Sequence, residues 1–369
     1  MRLRGYYKNF LLGIDSDIPQ LEDGISDLNR ARLMLDADIA PNWEFSVHYE
    51  HIAEINPLLS GGGFFELRDR PGLTSLSWSI DRSDDLAWIH EIDRLEVRGR
   101  MGWGDVTIGR QAVGAGVGII WAPLDLLAGF SPVQIDREYR LGVDAVRAVI
   151  PLGGLTEIEA VYVAYDTRFA EQATAVHWRT TVSDPGIDIG FTAGKYFEDA
   201  VIGALASGEV RGVGVYGSIN ATHHYGDDAG PHDFTRIAIG ADHRFRYDVI
   251  GVVEYYFNGW GASQVSGYAS RLGSERLQRG EVFNVGRHYL GFLIDWEAHP
   301  LVHLLGRGQC NLTDPSIQAG PAITVSLSDE AQFEAGAYMT AGGALDGAEL
   351  RSEFGVQPDL FYAAAKIYF

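Results

Sequence analysis

The chain has 369 residues, with 45 glycines, 4 methionines, 11 % aromatics and a formal charge of −21. So acidic a balance argues against a general nucleic-acid binder, which needs a cationic surface to neutralise phosphates. The single cysteine, Cys310, excludes an internal disulfide and any multi-cysteine metal site.

No Pro/Ser-rich linker or low-complexity run divides the sequence, and turn signals recur at short intervals, so residues 1–369 read as one all-β unit. Met1 is followed at once by Arg2-Leu3-Arg4-Gly5-Tyr6-Tyr7, with no apolar h-region, and the chain reads as a mature form without its signal peptide. The most apolar stretch, 112–130, carries glycines, a proline and Asp125 and is read as strand plus loop, not as a membrane helix.

Period-2 alternation begins at Ala31, Leu33, Leu35, Ala37 and Ile39, which oppose Arg30, Arg32, Met34, Asp36 and Asp38. After the turn Pro41-Asn42, the residues Trp43, Phe45, Val47 and Tyr49 share one face, and Glu44, Ser46, His48 and Glu50 the other. Leu95 and Val97 then oppose Arg94, Glu96, Arg98 and Arg100. Ile158, Ala160, Tyr162 and Ala164 oppose Glu157 and Glu159, and Val176, Trp178 and Val182 oppose His177, Arg179 and Thr181. Ile187, Ile189 and Phe191 continue the series, then Ile237, Ile239 and Ala241 against Arg236, Asp242 and Arg244. Leu290, Phe292, Ile294 and Trp296 oppose Arg287, Tyr289 and Asp295; Ile323, Val325 and Leu327 oppose Thr324, Ser326 and Ser328.

Segments of about ten alternating residues with mid-strand charges, aromatics at the ends of the apolar faces (Trp43, Tyr49, Phe257, Trp296, Phe369), and short turns alternating with long connections predict a transmembrane antiparallel up-and-down β-barrel of about 18 strands. The turns belong on the periplasmic side with both termini, and the long connections, near 55–93, 113–140, 259–284 and 342–358, on the extracellular side. The chain ends in Phe369, with Ile367, Ala365, Ala363 and Phe361 on the same face, and resembles the sorting signal read by the barrel-assembly machinery, Phe369 and Ile367 carrying it. Ala364 stands where that pattern often has glycine.

Ile108-Gly109-Arg110-Gln111, the glycine-rich residues after it, Trp121-Ala122-Pro123-Leu124-Asp125, Glu254-Tyr255-Tyr256-Phe257-Asn258-Gly259 and Asp314-Pro315-Ser316 resemble porins of the alginate-export type. The resemblance covers about half the chain. It implies an eighteen-stranded outer-membrane barrel passing anionic or small solutes, and it does not carry the alginate substrate over, since this chain is shorter and more acidic.

The polar faces nominate pore-lining residues: Arg30, Arg32, Asp36, Glu44, Glu50, Arg94, Glu96, Arg98, Arg100, Arg147, Glu157, Glu159, Arg179, Arg236, Arg244, Glu254, Arg287 and Arg307. Ladders of charge set ion selectivity in pores, while Arg–carboxylate pairs can equally stiffen a wall. Strict alternation from Val106 and Ile108 points Arg110 at lipid, unless a bulge turns it inward. The apolar segment 113–140 is a candidate to fold into the lumen and narrow it. Acidic runs at Asp15-Ser16-Asp17, 81–85 and Gly226-Asp227-Asp228 lack EF-hand spacing and read as solvated loops more readily than Ca²⁺ sites. No HExxH occurs, no Ser–His–acid group suits a barrel lipase, and no cofactor or metal is expected. The expected function is a water-filled, arginine-lined channel for passive diffusion or export of small or anionic solutes. The alternative is a structural barrel that sheathes or scaffolds a partner such as a periplasmic lipoprotein or cytochrome, or that serves as a surface-adhesion scaffold. Expected partners are outer-membrane lipid and lipopolysaccharide, the assembly machinery, and the solute or ion itself.

Overall fold

The computed structural model describes residues 1–16, 23–57, 73, 75–83, 85–165, 172–226, 230–347 and 349–369. Its strands are β1 (Arg2–Asp15), β2 (Gly24–Ala40), β3 (Trp43–Ile55), β4 (Ser77–Arg82), β5 (Leu86–Met101), β6 (Gly104–Ala112), β7 (Gly142–Gly153), β8 (Thr156–Val163), β9 (Ala173–Val182), β10 (Ile187–Tyr196), β11 (Asp199–Val210), β12 (Val213–His224), β13 (Asp233–Arg244), β14 (Val249–Asn258), β15 (His288–His299), β16 (Val302–Asn311), β17 (Ser316–Ser328), β18 (Ala331–Ala341), β19 (Leu345–Asp346), β20 (Glu349–Leu350) and β21 (Asp359–Tyr368). Two short helices, α1 (Tyr268–Leu272) and α2 (Glu275–Gln278), lie between β14 and β15.

Apart from β4, β19 and β20, these strands form one closed antiparallel barrel of eighteen. Closure is made by β21, which pairs with β18 on one side and with β1 on the other, from Tyr6↔Tyr368 to Asp15↔Asp359. Every one of the eighteen wall strands therefore has two partners, so the wall closes on itself without an edge strand.

The alternation has the reverse sense of a water-soluble protein. Leu33, Ile108, Phe191, Ile202, Ile239, Val253, Ile294 and Ile367 point outward and are exposed, while Arg32, Glu50, Glu254 and Lys366 are buried inside. An apolar outer band over a polar interior is what a bilayer-spanning barrel requires, since lipid can solvate no unpaired polar group.

One end of the barrel carries the termini and the tight turns, such as 41–42, 211–212 and 300–301; the other carries the long connections. Two expectations shift. The connection expected at 55–93 stops at residue 85, because β5 starts at Leu86. A register irregularity between His48 and Tyr49 leaves Asp93 unpaired across from them, which broke the alternation there. Tyr49 stands at mid-strand beside His90, not at an end, because β3 runs on to Ile55. Where β6 leaves the wall, β4 takes its place: β6 pairs only with the lower part of β5, up to Leu95, and β4 pairs with its upper part, Ala87 to Glu91.

Candidate pore and constriction

Between β6 and β7 the chain turns into the barrel. Segment 113–141 is rich in glycine and apolar side chains and contains Pro123 and Pro132, so it cannot satisfy its own backbone as a helix or strand. The wall supplies the partners. Glu254 on β14, fully buried, accepts the N–H groups of Ile119 (3.1 Å), Ile120 (3.2 Å) and Trp121 (2.6 Å) and the Tyr216 hydroxyl (2.9 Å). Asn220 on β12 donates to the Pro123 carbonyl, Arg179 on β9 to that of Gly114, and Arg307 on β16 to that of Gln134. Contacts with strands this far apart around the wall put the segment across the lumen. Two glycines make room for it: a Cβ at Gly203 would stand 2.4 Å from the Leu124 side chain, and one at Gly291 2.6 Å from Ile120 and Trp121.

The far end of the segment is held by charge. Lys8 on β1, fully buried, pairs with Asp136 (3.0 Å) and Glu138 (2.8 Å), and its ammonium lies 4.3 Å from the centre of the Tyr6 ring. Burial pushes the Asp136 carboxyl up, but Arg30 and Lys8 outweigh it and hold it below the usual carboxylate range. Arg30 joins Glu50 (2.5 Å) to Asp136 (3.3 Å), and Arg32 joins Glu50 (3.3 Å) to Asp93. Arg94 pairs with Asp93 (2.6 Å) and donates to the Arg140 carbonyl. Around these ties the segment builds an apolar interior of its own: Val133 and Ile135 pack on Phe10, Leu12, Leu28 and Leu360.

Toward the turn end the same inward positions face open space. Arg98 pairs with Asp105 and Arg100 with Glu44 (3.4 Å), but their side chains remain 45 % and 56 % exposed. Arg147 pairs with Glu159 (2.7 Å), Asp36 with Arg4 (2.8 Å), and Glu157 faces Arg179 in register. Glu96, half-buried, stands opposite Ser46 on β3.

The remaining nominated residues sit elsewhere. Arg236 is buried and donates to the Glu281 carbonyl of the β14–β15 connection (2.7 Å). Arg244 lies at the rim, exposed and paired with Asp248 of the next turn (3.4 Å). Arg287 precedes β15 and bonds the Gly261 carbonyl, so it belongs to a connection and not to the wall. Arg110 stays at the outward register position beside Leu95, where Asp144 neutralises it through two hydrogen bonds of 2.8 and 3.0 Å. Phe369 is exposed, its backbone tied to Gly5, and Ile367 faces outward.

Sequence reasoning missed Lys8, Asp93, Asp125, Asp136 and Asn284. Lys8 lies with Tyr6 and Phe10 on the inward face of β1, which is otherwise apolar because segment 113–141 packs over it. Asp93 was hidden by its register irregularity. Asp125 caps the segment's own backbone at Ala115 (2.6 Å) and Gly116 (2.8 Å) and pairs with Arg140 (2.7 Å), a fold-back with no period. Of the acidic runs, Asp17, Asp84, Asp227 and Asp228 lie outside the described residues. Among the described residues no group of three or more His, Cys, Asp or Glu is arranged to hold a metal ion.

No protein-family model and no curated protein sequence matches the chain. Solved structures do. Acinetobacter baumannii OccAB3 aligns over 100 % of this chain and 98 % of its own at TM-score 0.62 and 9 % identity. The outer membrane protein opdK of Pseudomonas aeruginosa aligns over 100 % and 98 % at 0.60 and 8 %. A mutant of the Rh. blastica porin aligns over 100 % and 99 % at 0.51 and 9 %. At such identities the likeness is one of fold: this chain is an eighteen-stranded closed antiparallel β-barrel of the architecture found in outer-membrane porins.

Proposed function

We propose that the chain is a bacterial outer-membrane channel, with both termini on the periplasmic side, that passes small solutes passively through a lumen narrowed by segment 113–141. The observation that carries this reading is the solvent-facing pair Arg98 and Arg100 on the wall toward the turn end, not covered by that segment. An ion passing there meets guanidinium groups at close range, whereas charges on the outer connections are screened within roughly 8 Å at physiological salt. The net charge of −21 is therefore a poor guide to selectivity, and the channel has weak anion preference or none.

Phe369 and Ile367 serve as the assembly signal in this reading. Outward apolar side chains meet lipid, with lipopolysaccharide on the outer leaflet. The likeness to alginate-export-type porins rests on sequence motifs alone and names no cargo. A sheath around a partner protein needs a wide, unobstructed lumen, and the three backbone bonds from segment 113–141 to Glu254 on the far wall speak against it. No chemistry beyond solute passage is assigned to it. The test is the reversal potential of the purified protein in a planar bilayer under a KCl gradient. A value near zero or on the anion side is expected; strong cation selectivity would overturn the arginine-lined reading, and no conductance the channel itself.

A further inference from the structure

Three inserted segments come together around one carboxylate. Glu353, in segment 349–358, is buried and accepts hydrogen bonds from the Val285 N–H (3.0 Å), Asn284 (3.4 Å), Asn311 (2.7 Å) and the Tyr289 hydroxyl. Val285 and Asn284 belong to the β14–β15 connection, and Tyr289 and Asn311 to inward positions of β15 and β16. Asn284 also accepts the indole N–H of Trp121 (2.8 Å), at the tip of segment 113–141. The neighbouring Phe354 packs in the same apolar cluster as Ile120, Trp121, Tyr256 and Tyr289. The Glu353 side chain thus ties its own connection and the β14–β15 connection to the wall directly, and the constriction through Asn284.

We propose that Glu353 is the positioning residue that locks these three segments together in the loop-end half of the lumen, and that its protonation state decides how firmly they hold. The proposal rests on the channel reading for its consequence and on the hydrogen bonds for its geometry. The groups facing the carboxylate are Tyr289 from β15, Tyr268 from α1, which shares Asn311 with it, and Asp314, which accepts the Glu353 N–H (2.8 Å). Among the described residues no Lys, Arg or His forms an ion pair with Glu353, and Asp314 adds a like charge. Burial accordingly pushes the Glu353 carboxyl up to about 7, against the hydrogen bonds from Tyr289 and Val285.

The sign follows from linkage. A carboxyl that holds its proton more tightly in the assembled cluster than when released favours assembly when protonated. The contribution is full below the ordinary glutamate value of 4.5 and is lost as pH rises through about 7. The cluster is therefore firm on the acid side and loosened on the alkaline side.

The experiment is single-channel conductance of the full chain in planar bilayers across neutral pH, with hydrogen exchange of residues 275–290 and 349–358 in detergent, corrected for the intrinsic pH dependence of exchange. Wild type should show higher, noisier conductance and faster exchange on the alkaline side, with a step near neutrality. Glu353→Gln, which keeps the shape and cannot ionise, should lose the step and stay in the acid-side state at every pH. Glu353→Ala should exchange fast throughout. A wild-type pH profile retained in Glu353→Gln, or slow exchange in Glu353→Ala, would overturn the proposal. A wild type that never conducts sinks the channel reading, and the exchange data still decide the role of Glu353.

Discussion

Arg32 and Arg100 are the same residue type at the same phase of the same alternation, and they live in different worlds. Arg32 is buried, clamped between Glu50 and Asp93 behind the inserted segment. Arg100 is 56 % exposed and reaches Glu44 on the adjacent strand β3 at 3.4 Å. The first is a structural cation whose charge is spent on two carboxylates; the second is a charge left facing the open interior. What divides them is not their strand but whether segment 113–141 lies over them.

That division can be broken from its strongest side first. Arg32→Ala leaves two buried carboxylates with one partner fewer, and removal of one member of a buried pair costs about 3–5 kcal/mol. The denaturant midpoint of the purified barrel should fall steeply, and an unchanged midpoint would mean the cluster is not the anchor described. Next, the outer surface: Ile294→Arg places a charge on the lipid-facing wall, at about 2–4 kcal/mol near the bilayer midplane. Thr324→Arg, on the lumen side, should be mild, and equal membrane assembly of the two variants would contradict the bilayer reading. Third, Gly291→Val drives a side chain into Ile120 and Trp121, an overpacking of about 1–3 kcal/mol. Its expected signature is a displaced constriction, seen as altered conductance in a barrel that still resists unfolding by detergent. Smallest in stability, the double change Arg98→Gln with Arg100→Gln should cost under about 1 kcal/mol, because exposed ion pairs contribute little. Yet it should move the reversal potential toward cations, while Arg32→Ala should not do so through charge alone.

The wall was legible in the sequence because its signal is local. Trp43 to Glu50 announces a strand, its two faces and its next turn without reference to anything else, and the same holds for Ile237 to Arg244. The lumen was less so. Glu254 was nominated on phase, but its task, accepting three N–H groups from residues more than 130 positions earlier, depends on a fold-back no period encodes. Arg287 and Arg244 carry the right charge, but Arg287 lies just outside the wall and Arg244 at the very end of β13, where strand phase no longer governs direction. Lys8 failed for the opposite reason: its face of β1 is apolar because the inserted segment, not lipid, covers it.

The pairing of β1 with β21 has a consequence for the order of events in folding. All other wall pairings join strands near in sequence, while this one joins Tyr6 to Tyr368 and waits for the whole chain. Contacts of such separation form late, since the loop entropy they cost is repaid only at the end. Segment 113–141 straddles the same seam, through Asp136 on Lys8 of β1 and Glu138 on Tyr368 of β21. The ring and its obstruction thus finish in one step, like a cork seated while the last stave is being set.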